Sequence, residues 1–226
     1  MKPNNLKSPF LNKDECHISI HDRVWYVPPI PECNPNFVFP GWNDSLLFGN
    51  NNPVNIEYCS GNGAWIASKA KENPHLNWVA VEKKFTRVKK IWSKLKNFKL
   101  ENLIILCGEG LYATKHYIPS QSITSAYVNF PDPWPKLRHA KHRLIQKDFV
   151  DEVDRIMFSN GELTLVTDDL NYSQQMIDVV TLSPGFMSCY PNPYFITGQE
   201  DYGSSWFESL WKNAGREIRF HKFKKK

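Results

Sequence analysis

The sequence has little that would organise it through sulfur. Its five cysteines, Cys16, Cys33, Cys59, Cys107 and Cys189, are odd in number, scattered, and nowhere in a CxxC pair. That argues against a disulfide framework and for a reducing, cytoplasmic setting. Cys16, His17, His21 and Cys33 fall close together in the chain, but their spacing matches no common zinc pattern, and no metal site is expected. Long apolar runs are missing too, so no membrane-spanning segment is expected. The opening "MKPNNLKSPFLNKDE" lacks the apolar core of a signal peptide. Acid is missing between Lys83 and Lys99, a stretch that holds eight Lys or Arg.

What is present excludes a disordered chain. Of 226 residues, 41% are hydrophobic and 14% aromatic, enough for one substantial domain with a packed core. The net charge of +5 is unevenly spread, and the chain ends "FHKFKKK". Uneven basicity points to a polyanionic partner such as nucleic acid. The alternative for the Lys83–Lys99 stretch is a solvated helix face, and its periodicity favours that: Phe85, Val88, Trp92 and Leu95 share one side, Lys83, Arg87, Lys90 and Lys94 another.

Strand-like and helix-like segments alternate through the rest. Val54–Cys59, Leu76–Glu82, Leu103–Cys107, Ile123–Phe130 and Glu162–Thr167 read as strands. Helices are expected over "AWIASKAKEN", over Leu144–Phe158 with Asn160-Gly161 as its stop signal, and over Asn171–Leu182. A short helix near Trp206–Asn213 and a closing strand Glu217–Phe223 complete the pattern. Residues 1–44 read as a partly irregular N-terminal extension and 45–226 as the main domain. The expected fold is α/β, a doubly wound, mostly parallel sheet covered by helices. Ligands of such sheets bind beyond the carboxyl ends of the strands. Each expected strand end carries an acid nearby: Glu57, Glu82, Glu109, Asp132 and Asp168.

"EYCSGNGAW" puts Gly61 and Gly63 at the first strand-to-helix turn. A dinucleotide fingerprint needs a third glycine where Ile66 stands, and no Gly-Lys-Ser/Thr follows to make a P-loop. A nucleoside cofactor without a pyrophosphate remains. S-adenosylmethionine fits, with its ribose on Glu82, its cationic end near Glu57 and its adenine near Glu109. Singly, each of these acids could be a surface residue or a helix cap.

"FPDPWPKLRHAKHRL" resembles the signature of the bacterial tRNA (guanine-N7-)-methyltransferases, an acid between prolines followed by Trp and a basic run. "LFGNNNPVNIEYCSGNGAW", "WVAVEKK", "LVTDD" and Ser205-Trp206-Phe207-Glu208 with Gly215 downstream extend the likeness over about residues 45–220. The resemblance implies the doubly wound class I methyltransferase fold and S-adenosylmethionine as methyl donor. It implies transfer to N7 of a guanine in the variable loop of tRNA. By position it implies cofactor contacts from Glu57, Glu82, Glu109 and Asp132, with Asp132 catalytic. It implies tRNA contacts from Lys136, Arg138, His139, Lys141, His142, Arg143, Asp168, Ser205, Phe207 and Glu208. No protein partner is called for.

The chain departs from the family pattern in four places. Cys59 stands where the first motif glycine is usual, Glu109 replaces Asp, His142 replaces Lys or Arg, and Ser205 replaces Thr. Cys59 alone favours a competing reading, a non-catalytic RNA-binding protein on a methyltransferase fold, which a cofactor-binding measurement would separate. Pro131 and Pro133 stiffen the chain around Asp132. Asp132 would accept from the guanine N1–H or amino edge, or orient the amino group of the cofactor. Trp134 would stack on the base or pack under the loop, and Asp168 would read guanine or cap the next helix.

Overall fold

The computed structural model describes residues 1–10, 17–28, 37–199, 202–203 and 214–226. The chain divides into two compact units, Met1–Ile118 and Pro119–Lys226. Cys16, Cys33 and the expected helix near Trp206–Asn213 lie outside the described residues.

The first unit opens with a hairpin where the sequence suggests irregular chain. Strands β1 (Ser19–His21) and β2 (Val24–Tyr26) pair antiparallel across Asp22-Arg23. Both turn residues have positive φ, 50° and 70°, which makes a type I′ turn whose twist matches that of the strands. Such a turn is usually announced by Asn-Gly, and its absence hid the hairpin. Asp22 then accepts from Trp92 Nε1 at 2.9 Å and from Lys96, pinning the turn to a helix. Trp25 is fully buried among Phe37, Phe39 and Trp42, so residues before 45 contribute core as well as sheet.

Strand β3 (Val54–Tyr58) leads to α1 (Ala64–Glu72), β4 (Asn77–Glu82), α2 (Phe85–Phe98), β5 (Leu103–Cys107) and α3 (Gly110–Tyr117). Within this unit the sheet order is β1-β2-β5-β4-β3. β2 is parallel to β5, β5 to β4, and β4 to β3. Every residue of β3 and β4 is buried, as expected where both sheet faces are covered. On α2, Val88, Ile91, Trp92 and Leu95 are buried, while Lys90 is exposed and Lys89, Lys94 and Lys96 are half-buried.

The second unit contains β6 (Ile123–Asn129), α4 (Lys147–Ile156), β7 (Met157–Thr167), α5 (Leu170–Thr181), β8 (Phe186–Ser188), β9 (Ile196–Thr197) and β10 (Arg219–Lys225). β6 and β7 are parallel, while β10 runs antiparallel to β7 and carries β8 and β9 at its other edge. Asn160-Gly161 does not stop a helix, as the sequence suggested. α4 ends at Ile156, and the pair forms a bulge inside β7, where the register to β6 shifts between Ile123 and Ser125. Asn160 takes φ 65°. A Cβ on Gly161 would lie 2.6 Å from the Thr124 carbonyl oxygen, so the close strand approach needs glycine.

Candidate active site

In the first unit, the turn after β3 is built from alternating left-handed residues. Cys59, Gly61 and Gly63 have φ of 60°, 58° and 70°. Gly63 has a second constraint: a Cβ there would sit 2.7 Å from Ile91 Cγ1. Cys59 occupies its seat at a cost, since an L side chain in that region is strained by about 1–2 kcal/mol. The departure from the family glycine therefore falls on a position whose backbone conformation is kept.

Glu82, at the end of β4, holds this turn. It is 4% exposed, and its Oε2 accepts from Gly61 N–H at 3.0 Å while Oε1 accepts from Lys84 N–H at 2.8 Å. The Arg87 guanidinium lies 3.7 Å from Oε2. A carboxylate offers about four acceptor positions, so Glu82 retains capacity for ribose hydroxyls. Backbone bonds draw the neighbouring strand ends together, Ser60 N–H to Val81 O at 3.2 Å and Gly108 N–H to Glu82 O at 3.2 Å. Glu57 is buried, 2% exposed, in the fourth position of β3. Buried carboxylate of this kind favours a cationic ligand group. Glu109 is exposed and caps α3, its Oε2 accepting from Tyr112 N–H at 2.7 Å. Three of the expected cofactor acids are thus brought to one end of the sheet. Three carboxylate acceptors fit a nucleoside carrying a cation, whose hydroxyls and amino groups donate.

In the second unit, the loop after β6 is bracketed by two aromatic residues in left-handed conformation, Phe130 at φ 47° and Trp134 at φ 44°. Bulky residues adopt this only where the surroundings enforce it, and such strain gathers at functional loops. Phe130 N–H donates to Val166 O at 2.9 Å, and Pro131 is buried beneath the loop while Asp132 is exposed above it.

Arg143, expected to contact tRNA, is 6% exposed. Its Nε donates to Pro133 O at 2.7 Å and an Nη to Gln175 Oε1 at 2.7 Å, and its guanidinium lies over the Tyr172 ring at 4.9 Å. The planar fork fills this role because it can stack and donate in two directions at once. It ties the Asp132 loop to α5.

The other basic residues remain outside. A 3-10 helix, Leu137–His142, carries Arg138, Lys141 and His142 exposed and His139 half-buried, with Lys136 exposed just before it. Trp134, 37% exposed, packs against His142 and His139 at ring distances of 5.2 and 5.9 Å. Arg138 Nε donates to His139 Nε2 at 3.2 Å.

At the end of β7 the cap of the next helix falls to Asp169 and not to Asp168. Asp169 is the cap, its Oδ1 accepting from Tyr172 N–H at 2.7 Å. Asp168, its side chain 10% exposed, pairs with Arg216 at 2.5 Å. No sequence pattern marks Arg216, and only its place beside Gly215 could have drawn notice. An open cavity of about 580 Å³ is lined by Asp168, Asp169, Leu170, Asn171, Arg216, Glu217 and Arg219. Ser205, Phe207 and Glu208 lie outside the described residues.

A mostly parallel α/β sheet, a glycine-containing turn held by a strand-end carboxylate, and acids at successive strand ends define a class I methyltransferase using S-adenosylmethionine. The comparisons agree and narrow the class. A family model described as "Putative methyltransferase" matches residues 51–220. The tRNA (guanine-N(7)-)-methyltransferase of Chlamydia caviae is 45% identical over 226 residues, covering 100% of this chain and 99% of that protein. The Vibrio parahaemolyticus protein of the same name is 31% identical over 180 residues, covering 79% and 75%. Among solved structures, a 30S ribosomal A1408 methyltransferase from an uncultured bacterium superposes with TM-score 0.55 at 17% identity, covering 79% of this chain and 90% of that one. An rRNA methylase from Streptococcus thermophilus gives 0.53 at 15% identity, covering 78% and 88%. Both show the fold. The chain belongs to the tRNA (guanine-N7-)-methyltransferase family and is an enzyme.

Proposed function

We propose that the protein transfers the methyl group of S-adenosylmethionine to N7 of a guanine in the variable loop of tRNA. Relatives of that name, 45% and 46% identical over 100% and 96% of this chain, support the reaction, and the observation that carries it is the rigid Asp132 loop set beside the exposed basic 3-10 helix. The variable-loop position rests on the family signature around Asp132. The reading places the protein in the cytoplasm; among the described residues no helix is long and apolar enough to cross a membrane.

The cofactor supplies an electrophilic methyl group on a sulfonium. Glu82 holds the ribose, Glu57 faces the cationic end, and Glu109, at the start of α3, meets the adenine side. Guanine N7 carries a lone pair on the major-groove edge and reacts without first losing a proton, so no general base is required. The work left to the protein is alignment and stabilisation of a moving positive charge. Asp132 accepts from the guanine edge or from the cofactor amino group, in a loop that prolines and Arg143 keep still. Lys136, Arg138, His139, Lys141 and His142 contact tRNA phosphates, which orient without reading sequence. Asp168 accepts from the N–H groups of the base, with Ser205, Phe207 and Glu208 contacting the same tRNA.

The test is transfer of labelled methyl to tRNA lacking 7-methylguanosine, followed by chemical cleavage at N7-methylated guanine. Cleavage at one variable-loop position is expected, with Asp132→Ala reducing turnover at least a hundredfold, a loss typical of one stabilising group. Near-normal turnover in that variant would remove Asp132 from the chemistry.

A further inference from the structure

Arg216 occupies Asp168 in a way the proposed reaction does not use. Its guanidinium donates to Asp168 Oδ2 at 2.5 Å. Arg216 is 51% exposed in its side chain while Asp168 is 10% exposed, so a mostly buried acid is covered by a half-exposed cation. Arg216 follows Gly215, whose φ is 70°.

The chemistry of the two donors matters here. Guanine contains a guanidine unit in its ring: N1–H and the exocyclic amino group present two parallel donors to a carboxylate, as arginine does. The neighbouring Asp169 is engaged as a helix cap. The same cavity exposes Leu170 at its rim, 58% accessible, an apolar surface of the kind a purine face covers.

We infer that Arg216 is a latch: its guanidinium stands in for the guanine edge on Asp168 and must be displaced when the target base enters. This rests on Asp168 being a base contact, as proposed above. The latch keeps a buried carboxylate paired between turnovers, since an unpaired one is costly. It also sets a threshold, because only a base returning donors to Asp168 compensates for the broken pair. Once displaced, Arg216 is released next to the bound nucleotide.

The experiment is a double-mutant cycle on tRNA binding, with wild type, Arg216→Met, Asp168→Asn and the double variant, using tRNA lacking 7-methylguanosine at fixed salt. With Asp168 present, Arg216→Met should tighten binding by about two- to fivefold, the scale of one partly exposed ion pair. In the Asp168→Asn background the gain should vanish. Free guanosine, which has no phosphate for Arg216 to hold, should inhibit methyl transfer by Arg216→Met at lower concentration than it inhibits wild type. Weaker tRNA binding by Arg216→Met in both backgrounds, or an unchanged guanosine inhibition, would overturn the latch. Asp168→Asn with wild-type binding and transfer would instead overturn Asp168 as a base contact. An impaired Asp168→Asn with no gain from Arg216→Met sinks the latch alone.

Discussion

Arg143 Nε donates to the Pro133 carbonyl oxygen across 2.7 Å, so the residue after Asp132 is held by a guanidinium that reaches back from the end of the basic run. The same side chain bonds Gln175, whose Nε2 donates to Ile145 O at 2.9 Å, while Ile145 N–H donates to Tyr172 Oη at 3.0 Å. The loop that carries the proposed catalytic acid is thereby fastened to α5 by a closed set of bonds.

Replacing Arg143 should therefore damage both stability and turnover. Arg143→Ala leaves two part-buried acceptors without their charged donor, at a cost of about 2–3 kcal/mol, which corresponds to a melting temperature lower by roughly 4–12 °C in a chain of this size. Arg143→Lys should recover little, because an ammonium lacks the planar fork. Cofactor affinity should be unchanged in both, so calorimetry together with methyl transfer separates the loop defect from a cofactor defect. A variant that keeps stability and loses only tRNA affinity would show that Arg143 acts on phosphate after all.

Cys59 gives a paired prediction. Cys59→Gly removes a left-handed strain of about 1–2 kcal/mol and adds roughly 0.5–1 kcal/mol of unfolded-chain entropy, for a small net gain. Cys59→Val places a β-branched residue at φ 60° and should cost about 1–2 kcal/mol. Denaturant midpoints check stability, and titration calorimetry with S-adenosylmethionine should show affinity equal or tighter in the glycine variant. Loss of cofactor binding on Cys59→Gly would mean that the thiol itself contacts the ligand.

The exposed basic residues should act through charge alone. Lys136→Ala with Lys141→Ala should weaken tRNA binding at low salt and reduce the slope of log K against log salt by about 0.7–0.9 for each phosphate no longer neutralised. S-adenosylmethionine affinity should not change. Equal salt slopes for wild type and variant would place the tRNA backbone elsewhere.

His221 predicts a pH dependence of stability. It is fully buried in β10, with Nε2 3.1 Å from Ser173 Oγ and Nδ1 3.3 Å from Tyr194 O. Burial pushes the imidazole down from 6.5 to about 4, opposed by the hydrogen bond to Tyr194 and assisted by the charge of Arg219. The folded value lies below the unfolded one, so the neutral ring stabilises the fold above pH 6.5 and that contribution is lost as pH falls from about 6.5 to about 4. The loss is on the order of 3 kcal/mol. Urea unfolding across this range should show wild type losing stability relative to His221→Gln, and parallel curves for the two would refute the assignment.

Much of this protein is legible in one dimension, and particular residues show where that stops. β5 ends as expected at Cys107, the close of a continuous apolar run, and β7 at Thr167, just before the acidic pair Asp168-Asp169. The type I′ turn at Asp22-Arg23 gave no composition signal, and Asn160-Gly161, a sound helix stop locally, became a bulge because β6 passes close by. The acids Glu57, Glu82 and Glu109 were identified by their place at strand ends, a rule of topology that sequence order carries.

The order of elements, the glycine-containing turn and the acid between two prolines were set by the sequence itself, since periodicity and backbone restriction act between neighbours in the chain. Which arginine faces solvent and which holds the loop was decided only by the tertiary structure. Arg138 and Arg143 sit five positions apart in one basic run, yet one is exposed and the other lies buried against Tyr172. Arg216 meets Asp168 from 48 residues away. Charge is a property of the residue, but its use depends on what the fold brings within hydrogen-bonding distance, and no local pattern encodes that.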